Sequence, residues 1–439
     1  MSLAGISACR QDNQIGDDCD STTSTCEPTT RALEKAIKNV DILVVIDKSK
    51  SMLHEQANLA REMPKLVKAL ITGDRDGNGV KEFTPAESVH LGVVTSDLGL
   101  PGMDVRDNPD PINCVGQGDD GILYHKGNPS IDPTCKASYP TFISHKTGTD
   151  DPGKTAADFG CMLQVGPNGC GFEQPLEAAL KALWPSKNET IKFPGDTQGH
   201  GDLENAGFLR ADSLLAIVVV SDEDDCSTGA QGNLNLLVNN NSDKLPAFLK
   251  EDLARAAKVN LRCEYDDELP AAERYRWPIE RYLDGFRALR AGAENRVIFG
   301  MIGGVPTDLV DKNSDLQQAI LGDITADAAD IVAYYGRILD DPRMTERQAD
   351  GAATPQAAIL EPACTVANPA YALEADAGSD RAEQFITAAE PARRYVALAQ
   401  AFGVNGVVQS ICEESFTSPI ERLALAISNR IKVSAGNLK

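Results

Sequence analysis

The stretch Asp41-Ile-Leu-Val-Val-Ile46, followed directly by Asp47-Lys-Ser-Lys-Ser51, decides the fold of this chain. Its apolar run is long and rich in β-branched residues, which is typical of a strand buried on both faces of a parallel sheet. In such sheets, ligands bind beyond the carboxyl ends of strands, where Asp47 falls. The carboxylate and the hydroxyls of Ser49 and Ser51 are hard oxygen ligands that suit Mg²⁺ or Ca²⁺. Alternatively, Ser49 or Ser51 caps the helix that follows the strand.

A second apolar run, residues 214–220, ends in Ser221-Asp222-Glu223-Asp224-Asp225 and predicts a second buried strand. Acidic side chains crowded at a strand end repel one another unless a cation lies among them. A solvated acidic loop is the alternative. It suits residues 223–225 better than Asp222, because Asp222 adjoins the buried strand. We therefore expect Asp222 to take part in a cation site.

Together these two strand ends resemble the metal-ion-dependent adhesion site of von Willebrand factor A domains, with Asp-x-Ser-x-Ser after a first strand and Asp after a later one. The resemblance implies that Asp47, Ser49 and Ser51 hold the ion and that Asp222 acts through a water molecule. It further implies an open coordination position for an acidic ligand. The expected ion is Mg²⁺, with Mn²⁺ or Ca²⁺ as substitutes.

The family's metal-binding threonine has no direct counterpart in this chain. Cys170 stands at its approximate position, in the loop before a predicted helix. Thr95, at the end of another predicted strand, and Glu173 are the candidate substitutes. Lys48 and Lys50 also replace the small residues usual between the ligands, which places two ammonium groups beside a cation site.

The order of predicted strands and helices resembles that of the same family over residues 38–435. We predict a single domain over residues 31–439, an α/β fold whose doubly wound, mostly parallel sheet carries helices on both faces. Residues 1–30 are polar and predict a flexible tether. Long insertions, held by disulfides, are expected in the domain. They lie near residues 98–160, 185–212, 227–290 and 304–390.

The composition limits the possible partners and compartments. The chain has 439 residues and a formal net charge of −23, which argues against nucleic acid as a partner. No apolar run is long enough to span a bilayer. Eleven cysteines without any Cys-x-x-Cys pair predict disulfides and an oxidising compartment. Pairing by proximity gives Cys19–Cys26, Cys114–Cys135, Cys161–Cys170, Cys226–Cys263 and Cys364–Cys412.

The remaining cysteine, Cys9, follows Ile6-Ser-Ala, and this tetrad resembles a bacterial lipobox. The resemblance implies a lipid on Cys9 as the only membrane attachment. The expected location is extracytoplasmic: the periplasm, the outer membrane as a lipoprotein, or the exterior after secretion. A free thiol in an unstructured amino terminus is the alternative.

A second metal candidate is the stretch Asp74-Arg-Asp-Gly-Asn-Gly-Val-Lys-Glu82. Side-chain oxygens at positions 1, 3, 5 and 9, with Gly at position 6, match much of a calcium loop. Pro85 replaces the glutamate expected at position 12, and the loop resembles the Asp-rich calcium repeats of thrombospondin-type proteins. An ordinary Asp/Asn/Gly turn is the alternative. The predicted Ca²⁺ ligands are the side chains of Asp74, Asp76, Asn78 and Glu82 and the carbonyl of Val80.

These observations favour a monomeric, cation-dependent protein-binding module of the bacterial cell envelope. The cation would bridge to an exposed Asp or Glu of an unknown partner protein, with no catalysis, because no general base or nucleophile is positioned beside the site. Two alternatives stay open. One is a metal-dependent hydrolase that uses the acidic cluster around Asp222. The other is a structural envelope protein whose metal only holds the loops.

Overall fold

The computed structural model of the chain describes residues 36–100, 114, 116–229, 263, 274–310, 327–347, 349, 360–367 and 385–434. It also describes the backbone of two short strands within residues 17–28. The remainder of the predicted tether, including Cys9 and its expected lipid, lies outside the described residues.

The central feature of the fold is a six-stranded sheet with two smaller antiparallel pairs beside it. In chain order, the described strands are β1 (Asp17–Cys19), β2 (Cys26–Pro28), β3 (Asn39–Ile46), β4 (Ser88–Thr95), β5 (Ile143–Lys146), β6 (Leu214–Val220), β7 (Val297–Gly303), β8 (Cys364–Ala367), β9 (Phe385–Ala389) and β10 (Gly406–Ser410). The strands β1 and β2 form one antiparallel pair, and β8 and β9 form the other.

Within the central sheet, the strands lie in the order β10-β7-β6-β3-β4-β5. All neighbours are parallel except β4 and β5, which are antiparallel. Counted along the chain from the β5 edge, this order is 3-2-1-4-5-6, which doubly wound α/β sheets also have. The sheet is therefore mostly parallel, as predicted.

Seven helices are present in the described part of the chain. They are α1 (Leu53–Thr72), α2 (Pro152–Met162), α3 (Pro175–Leu183), α4 (Ile279–Ala288), α5 (Ala328–Leu339), α6 (Arg393–Phe402) and α7 (Thr417–Ser434). One core packs α1, α2 and α7 against the sheet, and the other packs α3 to α6. Both faces of the sheet are thus covered.

The position of β3 explains why its sequence does not alternate between apolar and polar residues. Ile42 and Val44 belong to the core with α1, whereas Leu43 and Val45 belong to the core with α3. All four side chains are fully buried. Burial of such a side chain contributes about 1.5–3 kcal/mol. The unbroken apolar run of β3 therefore follows from its central place between two helical layers.

Four disulfides are present among the described residues, and two of them differ from the pairing by proximity. Cys226–Cys263 and Cys364–Cys412 are confirmed. The predicted pairs Cys114–Cys135 and Cys161–Cys170 are wrong, because the bonds are Cys114–Cys170 and Cys135–Cys161. The helix α2 ends beside Cys135, so that Cys161 meets it, and Cys170 lies in the next loop. For the fifth predicted pair, Cys19 and Cys26 are opposed as Cα partners, but their side chains lie outside the described residues.

The disulfides indicate an oxidising, extracytoplasmic environment. Within the ranges that the structure describes, no helix is both long and apolar enough to cross a membrane.

Candidate metal centre

The candidate site lies at the carboxyl edge of the sheet, between β3 and β6. The strand β4, which follows β3 in the chain, lies on one side of β3, and β6 lies on the other side. The connections therefore leave a crevice there, where α/β proteins bind ligands. Asp47 and Ser221 are the first residues beyond the two strands, and the Asp47 N–H donates to the Val220 carbonyl at 3.0 Å. The two predicted strand-end clusters are thus neighbours in space.

Asp47 forms the floor of this crevice, with no exposed surface. Its Oδ1 accepts a hydrogen bond from the Ser49 N–H at 2.7 Å, and its Oδ2 accepts one from the Ser221 hydroxyl at 2.7 Å. Burial raises the pKa of the Asp47 carboxyl above its ordinary value, although these hydrogen bonds oppose the shift. Both carboxylate oxygens keep further lone pairs, so hydrogen bonding does not exclude a metal ligand role.

Ser49 and Ser51 lie at the more exposed side of the site. Their hydroxyl oxygens are 2.8 Å apart and share a hydrogen bond. The alternative that one of them caps α1 is wrong, because Met52 is the N-cap residue and no side chain caps this helix. The two hydroxyls therefore do not serve as caps of α1. Their oxygens are available at the solvent side of the crevice.

Asp222 and Glu173 face Asp47 with carboxylate oxygens that have no hydrogen-bond partner among the described residues. These atoms are Oδ1 of Asp222 and both Oε atoms of Glu173, in side chains only 4% and 1% exposed. Burial raises the pKa of each carboxyl well above its ordinary value, and repulsion from Asp47 adds to both shifts. Glu223 is a further acidic neighbour of both side chains. The Ser51 hydroxyl hydrogen bonds with Asp222 and opposes its shift.

Glu55, in the first turn of α1, is an acidic neighbour that the sequence analysis missed. It is 1% exposed. Its Oε1 accepts a hydrogen bond from the Thr387 hydroxyl of β9, whereas its Oε2 has no partner within the described part of the chain. Burial raises the pKa of Glu55, and its charge in turn raises that of Asp222. Its place four residues after Ser51, on the first helical turn, was the available sequence signal.

Thr95 and Lys48 belong to a neighbouring network centred on Asp119. The Thr95 hydroxyl donates to Asp119 Oδ2 at 2.6 Å, and the Lys48 ammonium donates to the same oxygen at 2.7 Å. The Lys48 charge is therefore paired, rather than directed at the cation site. Lys50 is exposed. Cys170, at the approximate threonine position, is bound to Cys114 and has no free thiol.

Asp224 and Asp225, the last two acidic residues of the cluster after β6, have structural roles. Asp225 Oδ1 accepts hydrogen bonds from the Leu176 N–H at 3.1 Å and the Ser227 hydroxyl, and its Oδ2 pairs with Arg394 at 3.1 Å. Burial raises the pKa of Asp224 to about 7, although attraction to Arg276 opposes the shift. Asp224 and Asp225 are only 1% and 0% exposed. The alternative of a solvated acidic loop is therefore wrong for these two residues.

The buried carboxylates around Asp47 are candidate ligands of a divalent cation, although in the described chain no three acidic side chains of this site bring oxygens within 4.8 Å of one another. Ionised carboxylates that are buried without a donor or counter-charge destabilise a protein by several kcal/mol each. A divalent cation near the unpartnered oxygens of Asp222 and Glu173 would supply the missing charge. Carboxylate and hydroxyl oxygens are hard ligands, which suit Mg²⁺, Mn²⁺ or Ca²⁺ rather than a soft ion.

The loop between α1 and β4 brings together the acidic residues of the predicted calcium site. One carboxylate oxygen from each of Asp74, Asp76 and Glu82 lies within 4.8 Å of the others. Asp74 accepts hydrogen bonds from three backbone N–H groups of the loop, and Glu82 Oε2 accepts one from the Arg75 N–H at 2.6 Å. The Asn78 side-chain oxygen accepts one from the Val80 N–H at 2.7 Å. This geometry suits a cation and also suits a hydrogen-bonded turn.

Comparisons with protein-family models, curated proteins and solved structures found no match to this chain. Geometry alone therefore defines its class: an α/β protein with a mostly parallel central sheet and a buried acidic cluster at the carboxyl edge.

Proposed function

We propose that this chain is a cation-dependent protein-binding module that resembles von Willebrand factor A domains. Asp47, Ser49 and Ser51 hold Mg²⁺ or a similar ion, and Asp222 binds it through water. A partner protein contributes an exposed Asp or Glu to the ion. The observation that carries the proposal is the set of buried carboxylate oxygens without a donor among the described residues at the β3–β6 switch point.

The exposure gradient of the site supports a binding role. Asp47 and Asp222 are buried, Ser49 is half-buried and Ser51 is exposed. An ion held among them would be reached from the serine side, where a second protein can approach. A carboxylate is a suitable incoming ligand for a hard cation.

The hydrolase alternative receives less support from the same geometry. It draws on the acidic cluster around Asp222. However, Asp224 accepts a hydrogen bond from the Arg394 N–H. Asp225 pairs with the Arg394 side chain and accepts a hydrogen bond from the Leu176 N–H at the start of α3. A general base needs to reach a substrate proton, and neither of these buried carboxylates is placed at the exposed side of the crevice. The binding module is therefore our first choice over the enzyme.

The expected setting is the bacterial envelope or the exterior. The disulfides favour an oxidising compartment, and a lipid on Cys9 would hold the chain at a membrane. We propose that it acts there as a monomer.

Calorimetric titration with Mg²⁺ and Mn²⁺ tests the metal site. We expect the wild type to bind one ion at the crevice, and Asp47→Asn to weaken that binding by at least about tenfold, because it removes a ligand charge. Asp284→Asn makes the same chemical change on the exposed face of α4 and should leave it intact. Equal affinities of wild type and Asp47→Asn would contradict the site.

A pull-down from envelope extract tests the binding role. The immobilised wild type should retain partners in Mg²⁺ that are lost with chelator and lost with Asp47→Asn. Asp284→Asn should retain them. If the same partners remain under every condition, a metal-independent scaffold becomes the better account.

A further inference from the structure

Glu173 gives the candidate site one more buried acidic group than the proposed chemistry requires. Ionised Asp47 and Asp222 would already balance the charge of a divalent cation. The family resemblance implies a neutral threonine hydroxyl from the loop before α3, yet this loop presents Glu173 instead. Both Glu173 oxygens are buried without a hydrogen-bond donor in the described chain, and the charged groups that act on this side chain, Glu223, Asp47 and Asp222, are all acidic.

The backbone around Glu173 is held on three sides. Its carbonyl accepts a hydrogen bond from the Cys226 N–H of the loop after β6 at 3.0 Å. The next residue, Gln174, donates its N–H to the Ser96 carbonyl beyond β4 at 3.1 Å, and Gly169 donates its N–H to the Lys48 carbonyl beyond β3 at 3.0 Å. This loop is therefore fixed to the ends of all three strands that border the site.

The Cys114–Cys170 disulfide adds a covalent tie three residues before Glu173. A side chain on so constrained a backbone loses little further freedom when it binds a ligand. The acidic groups nearby, Glu223, Asp47 and Asp222, disfavour its ionised form, and a cation would favour that form again.

We propose that Glu173 is an internal carboxylate ligand of the cation and holds the coordination position that a partner's carboxylate would otherwise take. This inference rests on the proposed cation site. In the resting protein, the ionised Asp47, Asp222 and Glu173 would together carry one more negative charge than the divalent ion carries positive charge. A partner carboxylate then binds only by displacing Glu173, which makes Glu173 the residue that sets how readily the site accepts an acidic ligand.

The test uses Mn²⁺ as the probe, with titration for affinity and water-proton relaxation for the number of water molecules on the bound ion. Glu173→Gln should weaken Mn²⁺ binding by at least about tenfold, since loss of even an outer partner of a ligand commonly costs that much. Glu173→Thr should weaken Mn²⁺ binding similarly and should add about one water molecule to the bound ion, because the threonine side chain is neutral and shorter than that of glutamate. Glu189→Gln, on an exposed loop, is the matched control and should leave both readings unchanged.

Two outcomes separate this inference from the proposed function. If Asp47→Asn loses Mn²⁺ while Glu173→Gln and Glu173→Thr bind it with unchanged affinity and hydration, the cation site stands and the internal ligand is refuted. If Asp47→Asn also binds Mn²⁺ normally, the cation site itself is refuted.

Misfolding of the variants is detected by thermal unfolding in chelator. Without a cation, burial and the acidic neighbours disfavour the ionised form of Glu173, so the neutral Glu173→Gln should unfold at the same or a higher temperature than the wild type. Added Mg²⁺ should then raise the unfolding temperature of the variant less than that of the wild type. A variant that is less stable in chelator, with an undiminished Mg²⁺ effect, would show that Glu173 has a structural role instead.

Discussion

At the scale of single residues, the buried carboxyls predict how cation binding depends on pH. Burial raises the pKa of Asp47, Asp222 and Glu173 above the ordinary values of 3.8 for Asp and 4.5 for Glu. Without a cation, the folded protein binds more protons than the unfolded chain once the pH exceeds those values. The contribution of these groups to the free energy of unfolding therefore falls as the pH rises toward their raised pKa values.

A bound cation requires the ionised forms, so its binding releases protons and strengthens with pH. We expect Mg²⁺ to raise the unfolding temperature only slightly at about pH 5 and clearly more at about pH 8. Thermal unfolding with Mg²⁺ or chelator measures this difference. Calorimetry in two buffers of different ionisation enthalpy counts the released protons. A Mg²⁺ effect that is equal at both pH values would argue against carboxyl ligands with raised pKa values.

The sequence predicted part of this site and missed the rest for a physical reason. Asp47 and Asp222 each follow a buried strand directly, and adjacent parallel strands bring such ends together. For Glu55 the sequence offered only its place on the first turn of α1, because its environment depends on Thr387, which is 332 residues away in the chain. The pairing of Lys48 with Asp119 also depends on a distant loop. Contacts of this kind carry no local sequence pattern.

At the scale of elements, the connection between α1 and β4 predicts a second, structural cation. The structure confirms that Asp74, Asp76 and Glu82 approach one another, but a calcium ligand role stays a prediction. We expect Ca²⁺ at about 100 times its Kd to stabilise the fold by about 2.7 kcal/mol. Asp76→Asn should lose most of this gain, because it removes a ligand charge but keeps the side-chain shape.

The measurement is thermal unfolding with Ca²⁺ or chelator, carried out in the Asp47→Asn background so that the crevice does not contribute. Asp284→Asn, added to the same background, is the control. Should Asp76→Asn respond to Ca²⁺ as fully as its parent, the loop is an ordinary turn whose hydrogen bonds hold Asp74 and Glu82 without an ion.

The strands of the central sheet differ in how far the sequence predicts them. The core strands β3, β6 and β7 were evident because each contains a run of apolar residues that is buried on both faces. The edge strand β5 was not, since it has only four residues and alternates between buried and exposed positions. It lies, together with most of α2, in the stretch 98–160 that we had expected to be an insertion. Short edge strands depend on a neighbour for their pairing.

At the scale of the whole molecule, the disulfides concentrate around the carboxyl edge of the sheet. Cys170 lies in the loop before α3, Cys226 follows β6 and Cys412 follows β10, and each is bonded to a distant cysteine. These bonds tie long connections to the rim of the candidate site. The rim is therefore held covalently, which suits a site that must keep a fixed set of ligands.

The same disulfides predict the thiol content of the mature protein. Of the eleven cysteines, eight form the four bonds among the described residues. The pairing of β1 with β2 opposes Cys19 and Cys26 at their Cα atoms, which favours a fifth bond. We therefore expect at most one reactive thiol, that of Cys9, and none if Cys9 carries a lipid on its sulfur.

Thiol titration in denaturant without reductant measures this number, and Cys9→Ser is the control that should reduce it to zero. Three thiols in the unlipidated chain would show that Cys19 and Cys26 are not bonded. More than three would contradict the bonds at the rim of the site, and with them the assignment to an oxidising compartment.

Loss of the Cys114–Cys170 bond alone, which closes a sequence separation of 56 residues, should lower the free energy of unfolding by up to about 4 kcal/mol through chain entropy. Protein that carries many free thiols should therefore also unfold at a lower temperature.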